Sequence, residues 1–280
     1  MKTRSIGFGG GERHTLSGVS PRPAHSPRLG DRAPTVTDPV VASASRVVGG
    51  PLGRYAVPSA RGWRTAGAWL VAASTIPMAL GVWQRGYCIE GGWRTPDQFF
   101  HLCFSDLPAT FASADLGAGV GAYLAGGAGA PTPAQPPLTA LLLTLTGGLI
   151  PFGSPDAQAR WFFGIWAVLA AVLVALLTWW TAGSVRRMPL RASHVALSPV
   201  VALTTLVAPD ILGVALAAAG LYAWSRSRPG WAGVLLGLAI AARSYPVLIV
   251  LAIVFVAIRA GRVRVALRTA LIALVTAAAL

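Results

Sequence analysis

From residue 66 onward the chain is a succession of apolar runs, at 66–83, 138–152, 161–182, 192–208, 211–225, 230–242, 246–258 and 269–280. In hydrocarbon every backbone N–H and C=O must be satisfied within the protein, which favours helices, and about 18–20 apolar residues suffice to cross a bilayer as a helix. The pattern therefore predicts an all-α fold, a polytopic integral membrane protein. Composition points the same way. The 280 residues are 54% hydrophobic and 11% charged, with a mean hydropathy of +0.62, whereas soluble domains carry about a quarter charged residues. One globular core cannot hide that much apolar surface, so a soluble enzyme is excluded.

Residues 1–65 are different in kind. They are rich in Arg, Pro, Ser and Gly, hold ten basic and three acidic residues, and show no apolar period. Such a segment cannot bury enough surface to offset its ordering entropy. It is expected to be a disordered cytoplasmic tail, followed by a transmembrane domain over 66–280. At the other end, the uncharged run 269–280 stops within what would be a span, and the chain reads as part of a longer protein.

The net charge is +14. Its distribution, split between the tail and short clusters between apolar runs, follows the positive-inside rule and is no nucleic-acid footprint. Compact clusters lie at Arg186/Arg187/Arg191, Arg226/Arg228 and Arg259/Arg262/Arg264/Arg268. All three fall in the cytoplasm only if 138–152 lies along the interface, within a first outer loop of residues 84–160. Then 161–182 runs inward, 192–208 outward, 211–225 inward, 230–242 outward and 246–258 inward. Every acidic residue beyond the tail (Glu90, Asp97, Asp106, Asp115, Asp156 and Asp210) then becomes extracytoplasmic, together with Arg85, Arg94, Arg160 and Arg243. Runs 211–225 and 230–242 are short for a hydrocarbon layer of about 30 Å, so Asp210 and Arg243 are candidates for a site below the surface. Trp63, Trp69, Trp83 and Trp93 lie near the proposed span ends, where aromatic belts are expected.

In the outer loop, Ser105-Asp106-Leu107-Pro108 reads as a helix start, with Asp106 either a capping carboxylate or a general base at the membrane–water boundary. Asp210 opens an apolar helix; it either complements the helix dipole or is a second active-site carboxylate. Cys88 and Cys103 share the loop and form a disulfide candidate in an oxidising compartment. No cluster has metal-ligand spacing, although Asp106 and Asp210 could share a divalent cation. No cofactor is expected.

The stretch 83–108, WQRGYCIEGGWRTPDQFFHLCFSDLP, resembles the first outer loop of the actinobacterial family 87 glycosyltransferases, membrane enzymes of the GT-C superclass. Their Cys-Tyr-Ser-Asp-(Ile/Val)-Pro motif corresponds to Cys103 to Pro108, and their Tyr-Pro-Val-Leu-Thr-Gly to QPPLTA at 135–140. Their Asn-Trp-Asp-Leu-Leu corresponds to APDIL at 208–212, and AGVLLGL at 232–238 with ARSYP at 242–246 matches a further pair of motifs. The likeness covers roughly 66–268 in register. It departs where Ala-Pro precedes Asp210, where Arg243 replaces Lys, and where an acidic residue before Tyr-Pro is missing.

The resemblance implies a GT-C-type helical bundle that uses a polyprenyl-phosphate sugar as donor. It implies transfer of a hexose, mannose first, with inversion, to a cell-envelope glycolipid or glycan acceptor on the outer side of the cell membrane. Asp106 would then be the base. Arg243, beside Tyr245, would face the leaving phosphate, because a guanidinium fork matches phosphate geometry. Arg94, Arg85 and His101 are lesser substrate-binding candidates. An arabinofuranosyl transferase, a non-catalytic remnant and an envelope-lipid transporter are the alternatives. A transporter would place polar groups at mid-membrane within paired repeats, which the sequence lacks.

Overall fold

The computed structural model describes residues 63–185 and 188–280. Residues 1–62 of the expected tail, and Arg186 and Arg187 of the first basic cluster, lie outside the described residues. Residues 63–65 form the first turn of a helix. Among the described residues every regular element is helical.

The described residues begin with α1 (Trp63–Gln84), which leads into a lobe of short helices. These are α2 (Gly86–Gly91), α3 (Asp97–Phe100), α4 (Asp106–Ser113), a 3-10 turn at Leu116–Ala118, α5 (Gly119–Ala125) and α6 (Pro137–Gly147). The long α7 (Pro155–Ser184) follows, then a 3-10 turn at Pro189–Ala192, α8 (Ser193–Ala196) and α9 (Pro199–Thr205). Four helices end the chain: α10 (Ile211–Ser225), α11 (Pro229–Ala242), α12 (Pro246–Arg259) and α13 (Val263–Ala278). Among the described residues only α1 and α7 are long and apolar enough to cross a membrane by themselves. At 1.5 Å per residue the 22 residues of α1 reach about 33 Å, and the 14–16 residues of the last four helices about 21–24 Å.

Run 192–208 was expected to be one helix. It is broken instead, because Ser198 caps a new start, accepting from the Val201 N–H at 3.4 Å, and Pro199 occupies the first turn of α9. Proline fits there because its missing N–H is one that a helix start leaves unpaired anyway. The segment still climbs along α1. Ala192 and Ala196 pack with Leu70, Thr205 meets the Met78 sulfur, and Leu203 lies beside Arg85.

The core lies where the lobe meets the first half of α7. Phe111 of α4 packs on Phe162 with ring centroids 5.0 Å apart, Trp93 packs on Phe163 at 5.1 Å, and Trp166 donates its indole N–H to Thr146 of α6 at 3.2 Å. Helix α6 has 11 residues, about 17 Å, too short to cross a bilayer. Two of the four belt tryptophans turn inward: Trp93 packs on Phe163, and Trp63 packs on Trp179 at 5.2 Å. Trp69 and Trp83 remain exposed. So do Leu248, Leu251, Phe255 and Ile258 along one face of α12, an apolar stripe suited to lipid.

The late helices pack through small residues. Gly233 and Gly237 of α11 lie against α13, and a Cβ on Gly237 would stand 2.6 Å from the Ala273 carbonyl oxygen. Small residues four apart let helix backbones approach this closely, as in membrane bundles.

Candidate functional site

The ends of several elements meet at one end of the bundle. Ser105 joins the lobe to the segment before α10: its hydroxyl donates to the Leu206 carbonyl at 2.8 Å, and the Asp106 N–H donates to the Val207 carbonyl at 2.9 Å. Ser105 is also the N-cap of α4, accepting from the Leu107 N–H at 3.4 Å. It holds the extended backbone that a cap requires. Asp106 is therefore not the cap; it is the first helical residue, and it is exposed.

Asp210 lies three residues beyond Val207, at the N-terminus of α10. Its side chain makes no capping bond. It forms an ion pair with Arg243 instead, across 33 residues of sequence and from the opposite end of a neighbouring helix. Arg243 leaves α11 in an extended conformation (φ −157°, ψ 150°), which turns its side chain back toward α10. Just before it, the buried carbonyl of Ala242 accepts a hydrogen bond from the Thr139 hydroxyl of α6 at 2.9 Å. Gly213, one turn into α10, supplies the room. A Cβ there would sit 3.2 Å from both Cβ and Cγ of Arg243 and 3.6 Å from the Tyr245 hydroxyl.

The electrostatics follow from this packing. The Arg243 Nε is buried and has no acceptor, so part of its five-donor fork is unused. Burial raises the Tyr245 pKa, the Asp210 carboxylate raises it further, and the Arg243 charge opposes both. The phenol is therefore a neutral donor at physiological pH. Beside Asp210, a cavity of about 190 Å³ is lined by Leu177, Val201, Thr204, Thr205, Ile211 and Val214.

The other sequence candidates lie elsewhere. Arg94 bridges to Asp156 of α7 at 3.3 Å, both exposed. His101 stacks on Tyr87 with ring centroids 3.5 Å apart, and its Nδ1 lies 3.0 Å from the Asp97 carbonyl oxygen. Cys88 and Cys103 are joined by a disulfide with Cα atoms 5.9 Å apart. All three contacts tie the lobe to itself or to α7. Arg85 is 2% exposed and donates to the carbonyls of Gly81 (2.9 Å) and Leu203 (2.8 Å), fastening the end of α1 to the segment that leads to Asp210. Burial lowers its pKa, yet an arginine remains charged. Among the described residues no group of three or more His, Cys, Asp or Glu side chains could hold a metal.

Sequence reasoning placed Ser105 at a helix start but not its bond to Leu206, and it overlooked Thr139 and Gly213 as individual residues. Ser105 and Thr139 lie within the motifs quoted above, and their polarity amid apolar neighbours was a usable signal. Gly213 carried none, since a glycine in an apolar helix looks the same whether or not a side chain lies over it.

The arrangement offers an exposed carboxylate, a guanidinium with an unused buried N–H, and a neutral phenol, all near one break in the bundle. A base, an anion clamp and a hydrogen-bond donor can be assembled from these. Residues 134–280 match the family model described as glycosyltransferase family 87. The matched span holds Thr139, Asp210, Gly213, Arg243 and Tyr245, and begins after Asp106. No curated protein and no solved structure matches the chain.

Proposed function

We propose that this chain, which belongs to glycosyltransferase family 87, moves a hexose from a polyprenyl-phosphate sugar to a cell-envelope glycolipid or glycan. Mannose is the first choice of sugar, and arabinofuranose the alternative. Membership makes the protein a glycosyltransferase associated with the membrane, with a donor and an acceptor substrate. The donor, the sugar and the residue roles are our reading, as is a multi-pass topology with the tail inside and the site outside.

What supports the reading is the unused Arg243 N–H beside a neutralising carboxylate. The Arg243 side chain keeps about a quarter of its surface open, so a donor phosphate can share the guanidinium there, and the Tyr245 phenol is a second donor to the same oxygens. In the reaction the acceptor hydroxyl oxygen bonds to the anomeric carbon while the bond from that carbon to the phosphate oxygen breaks. Asp106 takes the acceptor proton. The polyprenyl phosphate departs with the bonding electron pair, and Arg243 meets the charge that develops there, as preorganised donors do. One in-line displacement inverts the anomeric centre. The apolar cavity beside Asp210 suits the first part of a lipid stem.

The test is transfer by the membrane-embedded protein from a polyprenyl-phosphate sugar to an envelope acceptor. Asp106→Asn keeps shape and hydrogen bonding but removes the base, so the rate should fall about 10²–10⁴-fold while donor binding survives. Transfer at the parent rate would overturn the assignment and make Asp210 the next candidate.

A further inference from the structure

We propose that the end of the bundle opposite Asp106 and Arg243 binds a phosphate-bearing ligand, in the bilayer the headgroup of an acidic phospholipid, in two adjoining cavities walled by arginine and tryptophan. The proposal does not depend on the transfer reaction. Helix α10 separates the two ends by 15 residues, about 22 Å.

The first cavity, of about 590 Å³, is lined by Trp180, Tyr222, Arg226, Arg228 and Trp231 among others. The second, of about 500 Å³, shares Arg228 and Trp231 and adds Arg268 of α13. Arg226 is held in place for a ligand. Its Nη2 donates to the Tyr222 hydroxyl at 2.8 Å, and its guanidinium lies 4.7 Å from the Tyr222 ring centroid and 5.5 Å from that of Trp63. Its Nε is buried with no acceptor. Gly183 permits this stack, since a Cβ there would collide with the Tyr222 ring and stand 3.2 Å from Trp63.

Among the described residues no carboxylate answers these charges. Both ion pairs among the described residues, Arg94–Asp156 and Asp210–Arg243, belong to the other end of the bundle. The six acidic residues of the described segments all lie in the lobe, in the first turn of α7 or at the start of α10. Three guanidiniums therefore line two cavities with no counter-ion among the described residues. The positive-inside rule asks only for charge in a loop; it asks for neither a cavity nor aromatic walls. Basic pockets between membrane helices recognise anionic headgroups, guanidinium forks match phosphate oxygens, and tryptophan such as the exposed Trp231 belongs at headgroup depth.

The test is titration of the purified, detergent-solubilised protein with phosphatidylglycerol, phosphatidylcholine and inorganic phosphate, followed by tryptophan fluorescence and by lipid adducts in native mass spectrometry. The parent protein should take up phosphatidylglycerol saturably and phosphatidylcholine far more weakly. Arg228→Gln with Arg268→Gln, both at exposed positions, should weaken the acidic lipid about tenfold or more, as loss of charge-assisted bonds does. The control pair Arg262→Gln with Arg264→Gln removes the same charge from residues that line neither cavity, and should bind as the parent does. Equal uptake of the two lipids, or equal weakening by the two pairs of substitutions, would overturn the proposal. Equally strong binding of inorganic phosphate would keep the anion site but overturn the headgroup assignment.

Discussion

Arg243, the first residue past α11, is ion-paired with Asp210, the last residue before α10. Two helix ends are thereby joined by opposite charges, at the point where the lobe is hydrogen-bonded to residues 206 and 207. If Asp210 serves to position Arg243, removing the arginine should remove most of what the carboxylate does. Arg243→Ala should impair donor binding and turnover together. Adding Asp210→Asn to it should cost little more, with a coupling of about 0.5–3 kcal/mol in a double-mutant cycle on kcat/KM. Fully additive losses would show that Asp210 acts on substrate by itself.

Gly213 gives a cleaner separation of activity from stability. Alanine is favoured over glycine inside a helix by about 1 kcal/mol, so Gly213→Ala should hold or raise the melting temperature. Its new Cβ would press on Arg243 from 3.2 Å and displace the guanidinium. The expected result is a several-fold higher KM for donor in a protein at least as stable. An unchanged KM would mean that Arg243 does not act from this position.

Tyr245 should titrate late. Its raised pKa favours the protonated phenol in the folded state, so its contribution to stability is complete below the ordinary value of 10.0 and is lost as pH rises through the raised one. A phenolate absorbance titration should show a late phase, and Tyr245→Phe should remove it. Asp210→Asn should move it only part of the way back, because burial is the larger cause.

The Cys88–Cys103 bond closes a segment with a sequence separation of 15, for which loop-closure entropy corresponds to about 3 kcal/mol. Cys88→Ala with Cys103→Ala should leave the late helices intact while the lobe becomes more sensitive to protease. Non-reducing peptide mapping of the parent should recover residues 88 and 103 in one linked species; finding both alkylated without reductant would rule the bridge out.

Much of the fold was legible because long apolar runs have few alternatives. The ends of α1, α10, α11 and α12 lie within a few residues of the runs expected from sequence, while α7 starts at Pro155, six residues before its run at 161–182. The break at Ser198-Pro199 was also written in the sequence, in a capping serine followed by proline, but the surrounding hydropathy masked it. Local chemistry left two readings open at each acid, a capping or catalytic Asp106 and a dipole-complementing or catalytic Asp210. Ser105 takes the cap at the first and Arg243 takes the carboxylate at the second.

The sequence by itself determined that this chain folds as apolar helices, and which few charged residues stand apart from them, because apolar length and charge placement are local properties. Only the tertiary structure decided which of those residues meet. Helices α10 and α11 are apolar on every side, so no polar face announces a partner. Their mutual orientation is set by where glycine admits a neighbour, as at Gly220, where a Cβ would stand 2.7 Å from Leu236 Cγ. From that contact follows the pairing of Asp210 with Arg243, and from Thr139 and Ser105 the attachment of the lobe beside it.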